Sequence, residues 1–156
     1  KRFGFLDKAK EILEKNGFEV SIVDGVDVGF VPANPSSWMF FDDKINYGYG
    51  TNKLNPYMAE VGKEKLADNF ADRKVAVFAG TEDTINEGQL DTWKRAMAQG
   101  DNRWERANNV FDHIEDQFGD LPNHYFVDAP GIGHSGGQMF RSEAGQELLW
   151  GDWDMA

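Results

Sequence analysis

Apolar positions along the chain follow two rhythms that alternate. Phe5, Leu6, Ala9, Ile12 and Leu13 recur at helical spacing and stop at Asn16-Gly17, which predicts an opening helix. Phe18 to Val23 and Val26 to Val31 are rich in β-formers and predict strands, the second ended by Pro32. Lys74 to Ala79 predicts a short buried strand stopped by Gly80, and His124 to Val127 predicts another. Between and after these lie helical stretches. Asn55-Pro56 reads as N-cap and first helical position of a helix running toward Phe70. Leu90 to Ala98 and Arg103 to Phe118 read as two helices hinged at Gln99-Gly100-Asp101-Asn102, and a last helix covers Gln138 to Trp150. Strands separated by helices imply parallel pairing with crossover connections, so the expected class is α/β. From Trp38 to Tyr57 the chain is aromatic, Gly-rich and Asn-rich with no period, which predicts a structured loop beside a site.

Composition narrows the partners. With 156 residues the chain can bury one core but is short for a complete doubly wound enzyme. No apolar run approaches the length of a membrane helix; the longest strong one is Val75 to Ala79. A net charge of −11 repels nucleic acid and anionic lipid, so neither nucleic acid nor membrane is an expected partner. The one basic cluster, Arg103 and Arg106, is interleaved with Glu105 and is read as internal salt-bridge material. Cysteine is absent, which removes disulfides, thiolate metal sites and a cysteine nucleophile, but does not report a redox compartment. The chain opens on Lys1 rather than Met, and its first residues leave localisation unknown.

Two of the predicted strands run into polar loops. Lys74–Ala79 leads into Gly80-Thr81-Glu82-Asp83-Thr84, and His124–Val127 into Asp128-Ala129-Pro130-Gly131-Ile132-Gly133-His134. In an open α/β sheet the ligand crevice lies beyond the carboxyl ends of the strands, where both loops emerge. A carboxylate in one loop can hold an imidazole in the next through Nδ1–H, leaving the other ring nitrogen to take a proton from a serine. Acid before histidine is the chain order of α/β-hydrolases. Read singly, Asp83 is equally a turn or cap residue and His134 equally a surface histidine. Order and position together favour the pair.

The motifs also form a series. Asn34-Pro35-Ser36-Ser37-Trp38, Tyr47-Gly48-Tyr49 and Asn55-Pro56-Tyr57 come first. Ala79-Gly80-Thr81-Glu82-Asp83-Thr84, Leu90-Asp91, Ala98-Gln99-Gly100-Asp101-Asn102-Arg103 and Glu105-Arg106 follow. Pro130-Gly131-Ile132-Gly133-His134 closes the series, with Met139-Phe140, Ser142 and Gly145 behind it. In this order they resemble a group of α/β-hydrolase-fold serine hydrolases with an "NPSSY" loop after a central strand, over roughly residues 26 to 151. Trp38 stands where that pattern has Tyr. The resemblance implies Asp83 as triad acid and His134 as triad base. It also implies that residues 1–156 are the C-terminal portion of a doubly wound, mostly parallel sheet of that type.

The nucleophile is the departure. Its elbow, G-x-S-x-G on a strand–turn–helix, should precede both acid and base, yet Ser21, Ser36 and Ser37 lack flanking glycines. The opening helix could be the elbow helix, which would place the serine before residue 1, together with most of the oxyanion hole. Gly133-His134-Ser135-Gly136-Gly137 fits the pattern, but no histidine follows it, and Pro130-Gly131-Ile132 separate it from the strand. Ser135 is therefore read as shaping the loop that presents His134. Of the other candidates, His113 is expected at a solvated helix position and His124 in a structural role. Asp42-Asp43 and Asp152 with Asp154 lack the spacing of a calcium loop. The aromatics between Trp38 and Tyr57 either wall an acyl pocket or simply pack.

The expected function is that of a serine hydrolase cleaving carboxylic esters, small or polymeric, with no metal or organic cofactor. This chain would supply Asp83 and His134, and the N-terminal half of the same enzyme would be its partner. The chain alone is expected to be inactive. The rival is a catalytically silent α/β-hydrolase-fold domain used for binding or assembly. A hydrolase of non-ester bonds is a third reading, because one fold hosts many chemistries.

Overall fold

The structure is a computed structural model that describes residues 15–16, 29–86 and 89–151. Its elements are α1 (Pro56–Val61), α2 (Lys63–Ala71), β1 (Val75–Gly80), α3 (Lys94–Met97), α4 (Arg103–Phe118), β2 (His124–Ala129), α5 (Gly136–Met139) and α6 (Glu143–Trp150). The predicted opening helix up to its last turn, the run from Phe18 to Val23 and the first half of Val26 to Val31 lie outside the described residues.

β1 and β2 pair in parallel, Val75 opposite His124 through Gly80 opposite Ala129. On the other side of β1 the segment around Phe30 and Ala33 runs parallel to it, opposite Val75 and Phe78. Phe30 donates to Lys74 O at 2.9 Å and accepts from Ala76 N at 2.9 Å; Asn34 donates to Phe78 O at 3.1 Å. β1 is thus flanked on both edges, and all six of its residues are buried. That explains its unbroken apolar run, since a strand covered on both faces has no solvent side to mark with polar residues.

Successive β1 side chains point to opposite faces and feed two cores. Ala76 and Phe78 pack with Val127, Ala129, Met139 of α5 and Leu148 of α6. Val77 and Ala79 pack with Ala107, Val110 and Ile114 of α4. Helices therefore cover both faces of a parallel sheet, the expected α/β arrangement.

Where the helices end departs from the periodic pattern. Asn55 caps α1 as expected, its side chain accepting from Met58 N, with Pro56 opening the helix. The predicted helix then breaks at Gly62, whose φ of 86° no helical residue adopts. Over 90–98 only Lys94–Met97 is helical, because the Asp91 carboxylate turns the chain by accepting from Trp93 N at 3.0 Å. The last predicted helix divides into α5 and α6. Ser142 caps α6 by accepting from Gly145 N, and Gly145 packs directly on Met139 O.

Residues 38–57 are tied to the rest by polar anchors. Gln99 brackets Trp38, accepting from its N–H at 2.9 Å and donating to its carbonyl at 2.7 Å. Tyr49 Oη donates to Asp91 Oδ2 at 2.7 Å; this bond holds the Asp91 carboxyl below its usual pKa and raises the Tyr49 phenol. Arg106, fully buried, donates to the carbonyls of Ser36, Asp91 and Gly100. It closes backbone acceptors of three loops where the sequence suggested a carboxylate partner.

Candidate active site

The loops leaving β1 and β2 are zipped together by main-chain bonds. Thr81 N donates to Ala129 O at 3.2 Å and Glu82 N to Ile132 O at 3.1 Å. Thr81 Oγ1 accepts from Gly131 N at 2.9 Å, where Gly131 takes a φ of 68°. Asp83 then turns back, donating its N–H to Gly80 O at 3.1 Å, and its carbonyl accepts from Trp104 N in the first turn of α4 at 3.2 Å.

These turns bring the two sequence-predicted residues into contact. His134 Nδ1 lies 2.9 Å from Asp83 Oδ2. An ionised carboxylate offers only acceptors, so Nδ1–H is the donor of this contact and Nε2 is left for another partner. Asp83 is 3% exposed and His134 56% exposed. The acid is therefore sealed in protein while the imidazole reaches the surface, which is the arrangement an orienting acid and a reacting base require. The other Asp83 oxygen, Oδ1, faces Arg103 Nη1 at 3.6 Å, a charge contact longer than a hydrogen bond, with Arg103 itself 2% exposed. Sequence reasoning gave Arg103 an internal salt bridge; its partner turns out to be the acid of the pair.

The other histidines are engaged elsewhere. His113 is not a solvated helix position: it is half-buried, packs on Phe40, and its Nε2 accepts from Phe41 N at 3.0 Å. The helix pattern gave no sign of this, because the packing loop is 72 residues away in sequence. His124 is buried, with Nε2 3.2 Å from Phe70 O and its ring edge-on to Phe70, in keeping with a structural role. Burial lowers the pKa of both imidazoles.

Among the described residues the serines offer no nucleophile contact. Ser36 Oγ donates to Gln89 O and accepts from Asp91 N, and Ser142 Oγ donates to Met139 O. Ser135 follows five loop residues after β2 and precedes a four-residue helix. Its φ of −141° is ordinary extended backbone, not the strained turn of an elbow. Ser21 lies outside the described residues, as do Asp152 and Asp154. Among the described residues no serine hydroxyl bonds His134, and no group of three or more His, Asp or Glu could hold a metal ion.

One residue that sequence reasoning named only as part of a motif, without a place at the site, sits between the two loops. Asn34 is buried, with a φ of 44°. Its Oδ1 accepts from Gly80 N at 2.9 Å, and its Nδ2 lies 3.4 Å from Gly133 O. Asn before Pro at the end of a strand was the available signal, since Asn is the commonest non-glycine residue in left-handed backbone.

No protein-family model matches the chain, and no curated protein does. Solved structures do. A poly(3-hydroxybutyrate) depolymerase, LpqC from Bordetella parapertussis, superposes with a TM-score of 0.63 at 20% identity, over 78% of this chain and 40% of that one. Poly(aspartic acid) hydrolase-1 from Sphingomonas sp. KT-1 superposes with a TM-score of 0.58 at 24% identity, over 77% of this chain and 44% of that one. The chain thus spans less than half the length of either. Both have the α/β-hydrolase fold, and at these identities the likeness is one of fold: this chain is built like part of an α/β-hydrolase.

Proposed function

We propose that this chain carries the acid and base of a serine hydrolase acting on carboxylic esters. The observation that carries the reading is the bond from His134 Nδ1 to the buried Asp83 carboxylate at the carboxyl ends of parallel strands. In this reading residues 1–156 are the C-terminal portion of a doubly wound α/β-hydrolase sheet. A serine on an elbow in the preceding polypeptide attacks the ester carbonyl. His134 Nε2 takes its proton and later gives it to the leaving alcohol, while Asp83 orients the ring and stabilises the imidazolium. The oxyanion hole comes mainly from the same upstream portion. No metal or organic cofactor takes part. Polymeric as well as small esters belong to the substrate class, since one of the similar structures is named for action on a polyester, while the other is named for an amide-linked polymer and supports only polymer hydrolysis.

A second reading rests on the absence, among the described residues, of any serine bonded to His134: the fold would serve binding or assembly without catalysis. A fluorophosphonate probe applied to the full-length protein separates the two. The hydrolase reading expects one labelled serine upstream of residue 1, with labelling lost in Asp83→Asn and His134→Ala. No labelling would favour the silent domain, and labelling at Ser135 would overturn the proposed order of the triad.

A further inference from the structure

We infer that Asn34 is a positioning residue that holds the loops of Asp83 and His134 in register; the inference rests on the proposed hydrolase site and deepens it. Three parallel chain segments end side by side at this edge of the sheet. The segment through Ala33 ends at Asn34, β1 at Gly80 and β2 at Ala129. Asp83 lies three residues beyond Gly80, and His134 one residue beyond Gly133. Asn34 touches both approach points with a single amide. Its oxygen takes the Gly80 N–H at 2.9 Å, and its nitrogen faces the Gly133 carbonyl at 3.4 Å. Its own N–H is fixed on Phe78 O at 3.1 Å, so the amide projects from the end of the segment that flanks β1.

The surroundings leave this amide little freedom. A β-carbon on Gly80 would overlap Ile132 O and lie 3.0 Å from Gly133 O and 3.1 Å from Asn34 Nδ2. Gly80, the 132–133 backbone and the Asn34 side chain therefore form one close-packed knot, and only glycine permits it. Asn34 pays for its place with a φ of 44°, a conformation that few non-glycine residues adopt. Its neighbour Pro35 keeps it out of the right-handed helical region. A buried carboxamide is a fitting group here, because it accepts from one loop and donates to the other at once. Neither loop is part of a helix or strand at Asp83 or His134, so their 51-residue separation is bridged by such contacts. Loss of the knot would let the two side chains drift, and catalysis is sensitive to displacements of that size.

The test uses the full-length protein with Asn34→Gly, which keeps the positive φ without the amide. Asn34→Asp, which keeps the acceptor for Gly80 N–H but removes the donor to Gly133 O, is the second variant. The readout is the nitrogen NMR spectrum of the His134 ring, which reports its tautomer and the proton shared with Asp83 and needs no substrate. The unaltered protein is expected to show the Nδ1–H tautomer. Both variants should lose it while far-UV circular dichroism stays native, and any ester turnover should fall roughly ten- to a hundredfold in kcat with KM little changed. A folded variant pair with the His134 tautomer unaltered would overturn the inference, as would unfolding of both variants, which would make Asn34 a residue of the fold alone. If only the glycine variant unfolds, the Asp variant decides. Failure of the hydrolase reading itself is read separately, as absence of turnover in the protein with Asn34 intact.

Discussion

Arg103 lies against the oxygen of Asp83 that His134 leaves free, Nη1 to Oδ1 at 3.6 Å, with both side chains at least 97% buried. The carboxylate thus has a cation near one oxygen and an imidazole nitrogen on the other. Removing the guanidinium strands a buried negative charge. Arg103→Met is expected to destabilise the fold by about 3–5 kcal/mol, the usual cost of breaking a buried pair from one side. Urea unfolding of Arg103→Met, Asp83→Asn and the double variant checks this. The double variant should lose clearly less than the sum of the singles; strict additivity would mean the two groups do not interact.

Asp83→Asn leaves the buried Arg103 without its charge partner and so lowers stability, and in the molecules that remain folded it should abolish most of the activity. An amide in place of the carboxylate can present its NH2 to the ring and select the wrong tautomer. The expected loss in kcat is on the order of 10⁴-fold, and that of His134→Ala on the order of 10⁶-fold. Steady-state kinetics on a chromogenic ester in the full-length protein measures it, and near-unaltered turnover in either variant would remove that residue from the mechanism.

Acid should destabilise the protein through His113 and His124 at pH values well above carboxylate titration. Burial pushes both imidazoles below their ordinary value of 6.5. The unfolded chain therefore takes up protons that the folded state refuses. Their contribution is fully present above about pH 6.5 and is lost as pH falls through the lowered folded values. Thermal melts between roughly pH 8 and pH 5 should show a falling Tm. His113→Gln, which cannot protonate and can still accept from Phe41 N–H, should flatten part of that slope. An unchanged slope in this variant would show that His113 does not carry it.

Gly145→Ala pits helix propensity against packing. Alanine in a helix gains up to about 1 kcal/mol over glycine. Here the added β-carbon would overlap Met139 O and come within 2.7 Å of Phe140 Cα, both main-chain atoms that cannot swing aside. Overpacking of this kind costs about 1–3 kcal/mol, so packing wins and the variant should be net destabilised in chemical denaturation. A stabilised Gly145→Ala would mean that the corner between α5 and α6 opens easily.

The proposed upstream half makes a prediction about the outer edge of the sheet. Phe30 spends both its main-chain groups on β1, so the alternation of a parallel strand turns those of Val31 away from β1. Phe30 is itself 45% exposed. Amide exchange at Val31 should be slow in the full-length protein and fast in residues 1–156 expressed alone, and the isolated chain should self-associate through that edge. A monomeric chain with slow exchange at Val31 would show a self-sufficient domain and contradict the half-enzyme reading.

The sequence by itself determined what depends on neighbours in the chain. The apolar run at 75–79 is a strand because nothing polar interrupts it. Asn55-Pro56 starts a helix because cap and first turn are local chemistry. The loops bearing Asp83 and His134 follow strands because Gly and Pro end those strands. Tertiary structure decided the rest. Periodicity carried the helices straight through Gly62 and through 140–142, because a break set by one glycine's φ or by packing on Met139 O leaves the apolar spacing intact. His113 read as solvated because its acceptor role is filled by a main-chain N–H 72 residues away. Arg103 and Asn34 acquire their places at the site through contacts with Asp83, Gly80 and Gly133, residues brought near only when three parallel segments end together. A residue's chemistry is written in its side chain, but which charge it meets and which loop it holds follow from long-range hydrogen bonds that no local pattern encodes.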